Sequence, residues 1–373
     1  MKTASTRSLK PRWGKYVLGL SLAAAAIPGV AVAQAPTGLP NSYSKRNLVS
    51  DGSEQADRTD NNLVNPWGLT FNPMSFLWVA DNGTGKATVY DGNGNAQPIV
   101  VNIPLPSGAQ APAGPTGIIF NGTTGFAVKS GANSVPARII FVTEQGLVAG
   151  WNPDAAANDA ITAVDNSSSN AVYKGATLAN NGSATFLYAT DFHNAKVDVF
   201  DSNFAATKMP GDFKDPNLPD GFAPFGIQTI QGDIYVTYAK QDDKKHDDVK
   251  GAGLGFISVF DANGRFIRRL ITRGNLNAPW GMALAPASFG RFSGRLLVGN
   301  FGDGTINAYD LATGRLDGQL QDPHGTVIVL KGLWGLSFGN GLKDQPTNAL
   351  YFTSGPDDEK HGLFGRIETT PAP

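Results

Sequence analysis

Apolar residues in this chain come in short runs rather than in helical stripes. Runs of three to seven positions, rich in Val, Ile, Leu, Tyr and Phe, recur at 76–80, 139–142, 186–189, 234–237, 296–298 and 350–352. Gly, Asn, Asp or Pro bounds each of them, which is the pattern of β-strands closed by turns. Beyond residues 16–32, no window repeats its apolar positions at the helical period of about 3.6 residues. The pattern therefore predicts strands throughout and no amphipathic helix.

The runs themselves repeat. A Gly preceded by a ring or small residue opens each unit. The phrase reads Asn65-Pro66-Trp67-Gly68-Leu69, Gly114-Pro115-Thr116-Gly117-Ile118 and, more faintly, Tyr173-Lys174-Gly175-Ala176. It returns as Ala223-Pro224-Phe225-Gly226-Ile227, Ala278-Pro279-Trp280-Gly281-Met282 and Gly332-Leu333-Trp334-Gly335-Leu336. The six glycines are separated by 49, 58, 51, 55 and 54 residues. A second apolar run follows each opening. A third usually ends in an aromatic and an acid, as in Val89-Tyr90-Asp91 and Val259-Phe260-Asp261. A fourth is expected at 98–103, 266–272 and 326–330, and 154–170 reads as an extended loop. Six units of four antiparallel strands make an all-β, six-bladed β-propeller. Regular spacing argues against two β-sandwich domains. The sixth unit supplies only three runs, and 44–50 supplies a spare one. That N-terminal strand is expected to close the last blade, because an unpaired edge would leave backbone donors and acceptors exposed.

Composition narrows the picture further. Gly numbers 45 and Pro 24, while charged residues are 16%, against an average of about 25%. That suits a turn-rich β protein and excludes a coiled coil or a charge-rich disordered chain. There is no cysteine, so disulfides, thiol catalysis and zinc-thiolate sites are excluded. Lys2, Arg7, Lys10, Arg12 and Lys15 precede an apolar run that ends in Ala31-Val32-Ala33, the form of a cleavable secretory leader. The expected organisation is a leader at 1–33, a flexible lead-in at 34–43, the propeller at 44–368 and a polar tail at 369–373. Without the leader, 25 basic residues face 31 acidic ones, a net charge of -6. An acidic mature chain is a poor nucleic-acid binder. No second run is long enough to span a membrane, so the expected location is periplasmic or secreted.

Candidate chemistry gathers on one face. Strands alternate direction within a blade, so the openings and every loop between second and third strands share an end of the propeller. These loops carry Asp191 and His193, the stretch 240–248 with His246, Asp303, and 357–361 with Asp358 and His361. His and Asp are ordinary ligands for a divalent metal, so His193, His246, His361, Asp191, Asp303 and Asp358 are candidate metal or acid–base residues. Asp also serves as a turn former facing water, and no HxH, HxxxH or HExxH spacing is present. The residues before the repeated glycines are Trp67, Thr116, Lys174, Phe225, Trp280 and Trp334. Trp67, Phe225, Trp280 and Trp334 are either a stacking surface for a ligand or the packing of the axis. The stretch 241–255 reads as an exposed, mobile loop able to act as a lid.

The strand order and Pro-x-Gly openings resemble NHL-type propellers and their gluconolactonase-like relatives. Asn65 to Leu69, Leu77 to Asn82, Asp191-Phe192-His193, Tyr238 to Val249 and Gly355 to Gly365 resemble, more closely, a family of exported bacterial six-bladed propellers with no agreed activity. The gluconolactonase likeness would imply Asn or Asp before the first-strand Gly, holding a central cation. The rings here cannot ligate a hard cation, so that mechanism is not expected to transfer. Two functions remain. The first is a binding platform for a protein, polymer or small-molecule ligand. The second is a metal-dependent hydrolase, lyase or oxidoreductase.

Overall fold

A computed structural model describes residues 42–370. The leader at 1–33 and most of the lead-in lie outside the described residues. Six antiparallel sheets form the propeller. Blade one is Pro66–Phe71, Leu77–Asp81, Lys86–Tyr90 and Ala96–Asn102. Blade two is Pro115–Phe120, Ile139–Thr143, Leu147–Trp151 and Ile161–Asp165. Blade three has Tyr173–Asn180, Thr185–Asp191 and Lys196–Phe200. Blade four is Phe222–Ile230, Asp233–Lys240, Gly255–Phe260 and Phe266–Thr272, and blade five is Pro279–Leu284, Leu296–Asn300, Ile306–Tyr309 and Leu316–Gln319. Blade six joins Leu333–Phe338, Leu350–Ser354 and Leu363–Thr369 to the N-terminal strand Tyr43–Ser50.

The apolar runs are continuous because both faces of each blade are covered. Along Leu77–Asp81, alternate side chains enter different cores. Leu77 and Val79 pack toward blade six, and Trp78 and Ala80 toward blade two. Six such cores lie between neighbouring blades, and a seventh fills the axis. The repeated glycine has a steric cause. A Cβ on Gly68, Gly226, Gly281 or Gly335 would lie 2.5, 2.1, 2.3 or 2.6 Å from the carbonyl oxygen of Thr116, Trp280, Trp334 or Trp67 in the next blade. Buried threonines stitch the same contacts. Thr190 Oγ1 donates to Phe225 O at 2.7 Å, and Thr116 Oγ1 to Tyr173 O at 2.7 Å.

Closure runs as expected. Tyr43–Ser50 pairs antiparallel with Leu363–Thr369. Tyr43, assigned to the lead-in from sequence, is already in this strand and fully buried. Three outer-strand expectations are corrected. Blade three ends at three strands, with only a Phe200–Ala206 bridge beyond. The stretch 154–170 contains the fourth strand of blade two, Ile161–Asp165, which sequence hid because its outward face is exposed. The outer strand of blade five is the polar Leu316–Gln319. The apolar stretch 326–330 makes only isolated bridges, its Ile328 and Leu330 being drawn into the core between blades five and six. A hairpin, Ala127–Ser130 with Asn133–Pro136, is inserted in blade two.

Candidate functional site

The axis is plugged. Trp67, Phe225, Trp280 and Trp334 are all buried, with Phe192 and Phe301, in one apolar cluster. Trp334 is stacked between Trp67 at 3.4 Å and Phe301 at 3.9 Å, centroid to centroid. Trp280 stands edge-on to both tryptophans. The ring faces are spent on one another, so the packing reading describes these four residues and no open stacking surface remains.

Above the plug lies one buried cation. Lys174 is the only charged residue among the six that precede the ring glycines. Its side chain is 2% exposed. Its Nζ lies 5.1 Å from the Trp67 ring centroid, 2.5 Å from Glu144 Oε1 and 3.3 Å from Asp247 Oδ1. Burial works against the ammonium, but the Glu144 and Asp247 carboxylates outweigh it and hold the Lys174 pKa above its ordinary value. Glu144 Oε2 accepts from Asn82 Nδ2 at 2.9 Å. Asn65 Nδ2 donates to Glu359 Oε2 at 2.9 Å, and the Asn65 side-chain carbonyl accepts from Trp334 Nε1 at 3.1 Å. Burial pushes the Glu359 carboxyl up. Blades one, two, three, four and six all contribute to this cluster.

Two devices hold it. Asp357, Asp358 and Glu359 have φ of 55°, 52° and 67°, three consecutive left-handed residues without a glycine. Such a turn costs roughly 1–2 kcal/mol per residue and presents Glu359 to Asn65. The stretch 241–248 is an exposed turn closed on itself. Gln241 bridges Asp248, and the Asp242 carboxylate accepts the His246 N–H at 2.8 Å. Gln241 Nε2 donates to Phe192 O at 2.6 Å, which ties the turn to blade three. That arrangement sets Asp247 over Lys174. Beside it, Lys250 Nζ sits 4.4 Å from the Phe301 ring centroid.

The six candidate metal residues separate. His193 and His246 line one hollow of about 530 Å³, together with Glu144, Gln145, Asn170, Lys244 and Asp247. His361 stands apart, its Nδ1 2.8 Å from Asp51 Oδ2 beside the closing strand. Asp191 clamps a turn, accepting the N–H groups of Val172 and Asn194, both at 3.2 Å. Asp303 does likewise for Thr305. Asp358 is 87% exposed and reaches only Lys250, at 3.9 Å. Among the described residues, one group has metal-ligand proximity, Glu144, His246 and Asp247, with ligand atoms within 4.8 Å of one another. The central divalent cation that the gluconolactonase-like resemblance implies does not fit here. Two of those three ligands already hold the Lys174 ammonium, and the axial positions beneath are rings. Sequence reasoning passed over Lys174, Glu144 and Glu359 as site residues. The available signal was one lysine in a register otherwise filled by rings and a threonine.

Asp248 gives the cluster a pH dependence. It is partly buried, its Oδ2 is sealed from solvent without a hydrogen-bond partner, and burial pushes its pKa up to about 7. The folded chain thus holds this proton more tightly than the unfolded chain. The stability so contributed is full below about pH 4 and is lost as pH rises through about 7. An Asp248→Asn chain should therefore gain on the parent between pH 4 and 8, by on the order of 2–4 kcal/mol. Urea unfolding at both pH values reads this directly. A gap that stays constant would show that Asp248 is ionised in the folded chain throughout.

No protein-family model matches the chain. Two proteins of Acanthamoeba polyphaga mimivirus are similar along most of its length. The uncharacterized protein R648 is 34% identical over 332 residues, 86% of this chain and 78% of R648. The uncharacterized protein L690 is 34% identical over 327 residues, 86% of this chain and 84% of L690. Both are viral, so they lend no support to the bacterial and exported character that the motifs imply. Among solved structures, a glucose dehydrogenase shares 14% identity at a TM-score of 0.50, over 88% of this chain and 100% of that one. That likeness concerns the fold alone.

Proposed function

This chain belongs to one family with the mimivirus proteins R648 and L690, and within it we propose a propeller that binds an anionic small ligand in the hollow beside Lys174. The observation that carries this reading is the pairing of the groups lining the hollow. Glu144 and Asp247 are engaged by Lys174. The side chains of His193, Lys244 and Asn170 line the same space and make no hydrogen bond or ion pair with another described residue. Imidazole, ammonium and amide donors left open over about 530 Å³ suit a carboxylate or phosphate on a polar molecule. A polymer end or a protein side chain bearing such a group would engage the same donors. Export to the periplasm or medium belongs to the same proposal and is supported by the leader pattern at 1–33.

Thermal shift with citrate, malate and glucose 6-phosphate, against neutral glucose, tests the reading. An anionic probe at 100 times its Kd should stabilise the chain by about 2.7 kcal/mol. The His193→Ala, Lys244→Ala double variant should abolish that gain. An equal shift with glucose, or a shift that survives the double variant, would overturn the reading.

A further inference from the structure

We propose that Lys174 is the resident cation of the axial site. Its ammonium stands where the cluster would otherwise take a divalent metal, and removing it turns Glu144, His246 and Asp247 into a metal site. The inference rests on the cluster's geometry and is independent of whether the neighbouring hollow binds a ligand.

Four observations support it. The ligand atoms of Glu144, His246 and Asp247 lie within 4.8 Å of one another. Ligands held at roughly 2.0–2.6 Å from a common ion are at most about 4–5 Å apart, so this spacing is within the reach of one ion. The Lys174 ammonium contacts two of those three residues, Glu144 at 2.5 Å and Asp247 at 3.3 Å. A second cation on the same oxygens would sit against it in a partly desolvated place, so occupancy by ammonium and by metal are mutually exclusive. The ammonium also lies over the Trp67 ring, 5.1 Å from its centroid, a surface that attracts a cation without offering a ligand. Glu144 is also fixed in place. Its second oxygen is held by Asn82 Nδ2 at 2.9 Å, so the carboxylate stays oriented when the lysine is gone.

The consequence is a metal-independent site. A tethered charge of +1 replaces an exchangeable +2, and no chelator can remove it.

The test is a titration of the full chain, freed of metal, with ZnCl2, MnCl2 and CaCl2 by calorimetry. Lys174→Ala should bind one ion at least about 100-fold more tightly than the parent, as expected when an oxygen- and nitrogen-lined site loses its competing charge. Its melting temperature, lowered by loss of the lysine, should rise with the ion that binds, while the parent's should not. Adding Glu144→Gln should erase both effects. Lys174→Met repeats the comparison with the stem's packing retained. The proposal is overturned if the parent binds the ion as tightly as the variants in a Glu144-dependent way. It is equally overturned if the variants fold and bind none, or if neither variant folds with metal present.

Discussion

Gly226→Ala should produce a steep loss of stability for a single added methyl. A Cβ there meets Trp280 O at 2.1 Å and the Trp280 carbonyl carbon at 2.9 Å. Both are backbone atoms of the neighbouring inner strand, so no side chain can turn aside. The blades would have to separate, and the new Cβ would also press, at 3.0 Å, on Thr237 Oγ1, the oxygen that accepts the Gly226 N–H at 2.7 Å. Overpacking of this kind costs about 1–3 kcal/mol where neighbours yield. Here the obstacle is backbone within a closed ring, so a cost of about 3–5 kcal/mol is expected, beyond that usual range. Gly131→Asn is the matched control. Gly131 has φ of +58°, and a Cβ there would meet nothing within 4 Å. Asn tolerates that conformation at little cost. Urea unfolding of the two variants reads the contrast. Equal, small losses would show that the inner strands are free to move apart.

The same ring explains what was legible in the sequence. A steric requirement repeated six times leaves a repeated residue, so Gly68, Gly117, Gly175, Gly226, Gly281 and Gly335 mark the blades without any knowledge of contacts. Inner and middle strands are covered on both faces and therefore read as unbroken apolar runs. Outer strands are half exposed. Leu316–Gln319 and Ile161–Asp165 follow no apolar pattern, and 326–330 reads as a strand because a core draws its side chains in. The functional face is located by topology, since strand direction alone assigns the loops to one end. The site within it is not. His193, His246, Asp191, Asp303, Asp358 and His361 stand out by residue type, but type does not say which side chains share a neighbour. Lys174 and Glu144 lie 30 residues apart, and Asn65 and Glu359 lie 294 apart. Only blade geometry brings them together.

A chain beginning at Asp51 should fail to give a folded monomer, whereas a chain beginning at Gln34 should unfold cooperatively. The strand Tyr43–Ser50 touches three blades. Its backbone completes blade six against Leu363–Thr369. Tyr43 is buried toward blade five, its N–H bonded to Gln321 O at 2.9 Å and its hydroxyl to Phe289 O at 3.1 Å. Leu48 and Val49 are buried among Leu77, Val79 and Tyr90 of blade one. Removing the strand opens cavities in the cores on both sides of blade six, where each large apolar side chain lost costs about 2–5 kcal/mol. It also bares the edge of Leu363–Thr369, a template for pairing with another chain. Three such losses rival the roughly 5–15 kcal/mol that a folded domain has in hand. Circular dichroism and size-exclusion chromatography of the two chains decide the matter. A monomeric, cooperative Asp51 chain would show that the ring holds without its N-terminal closure.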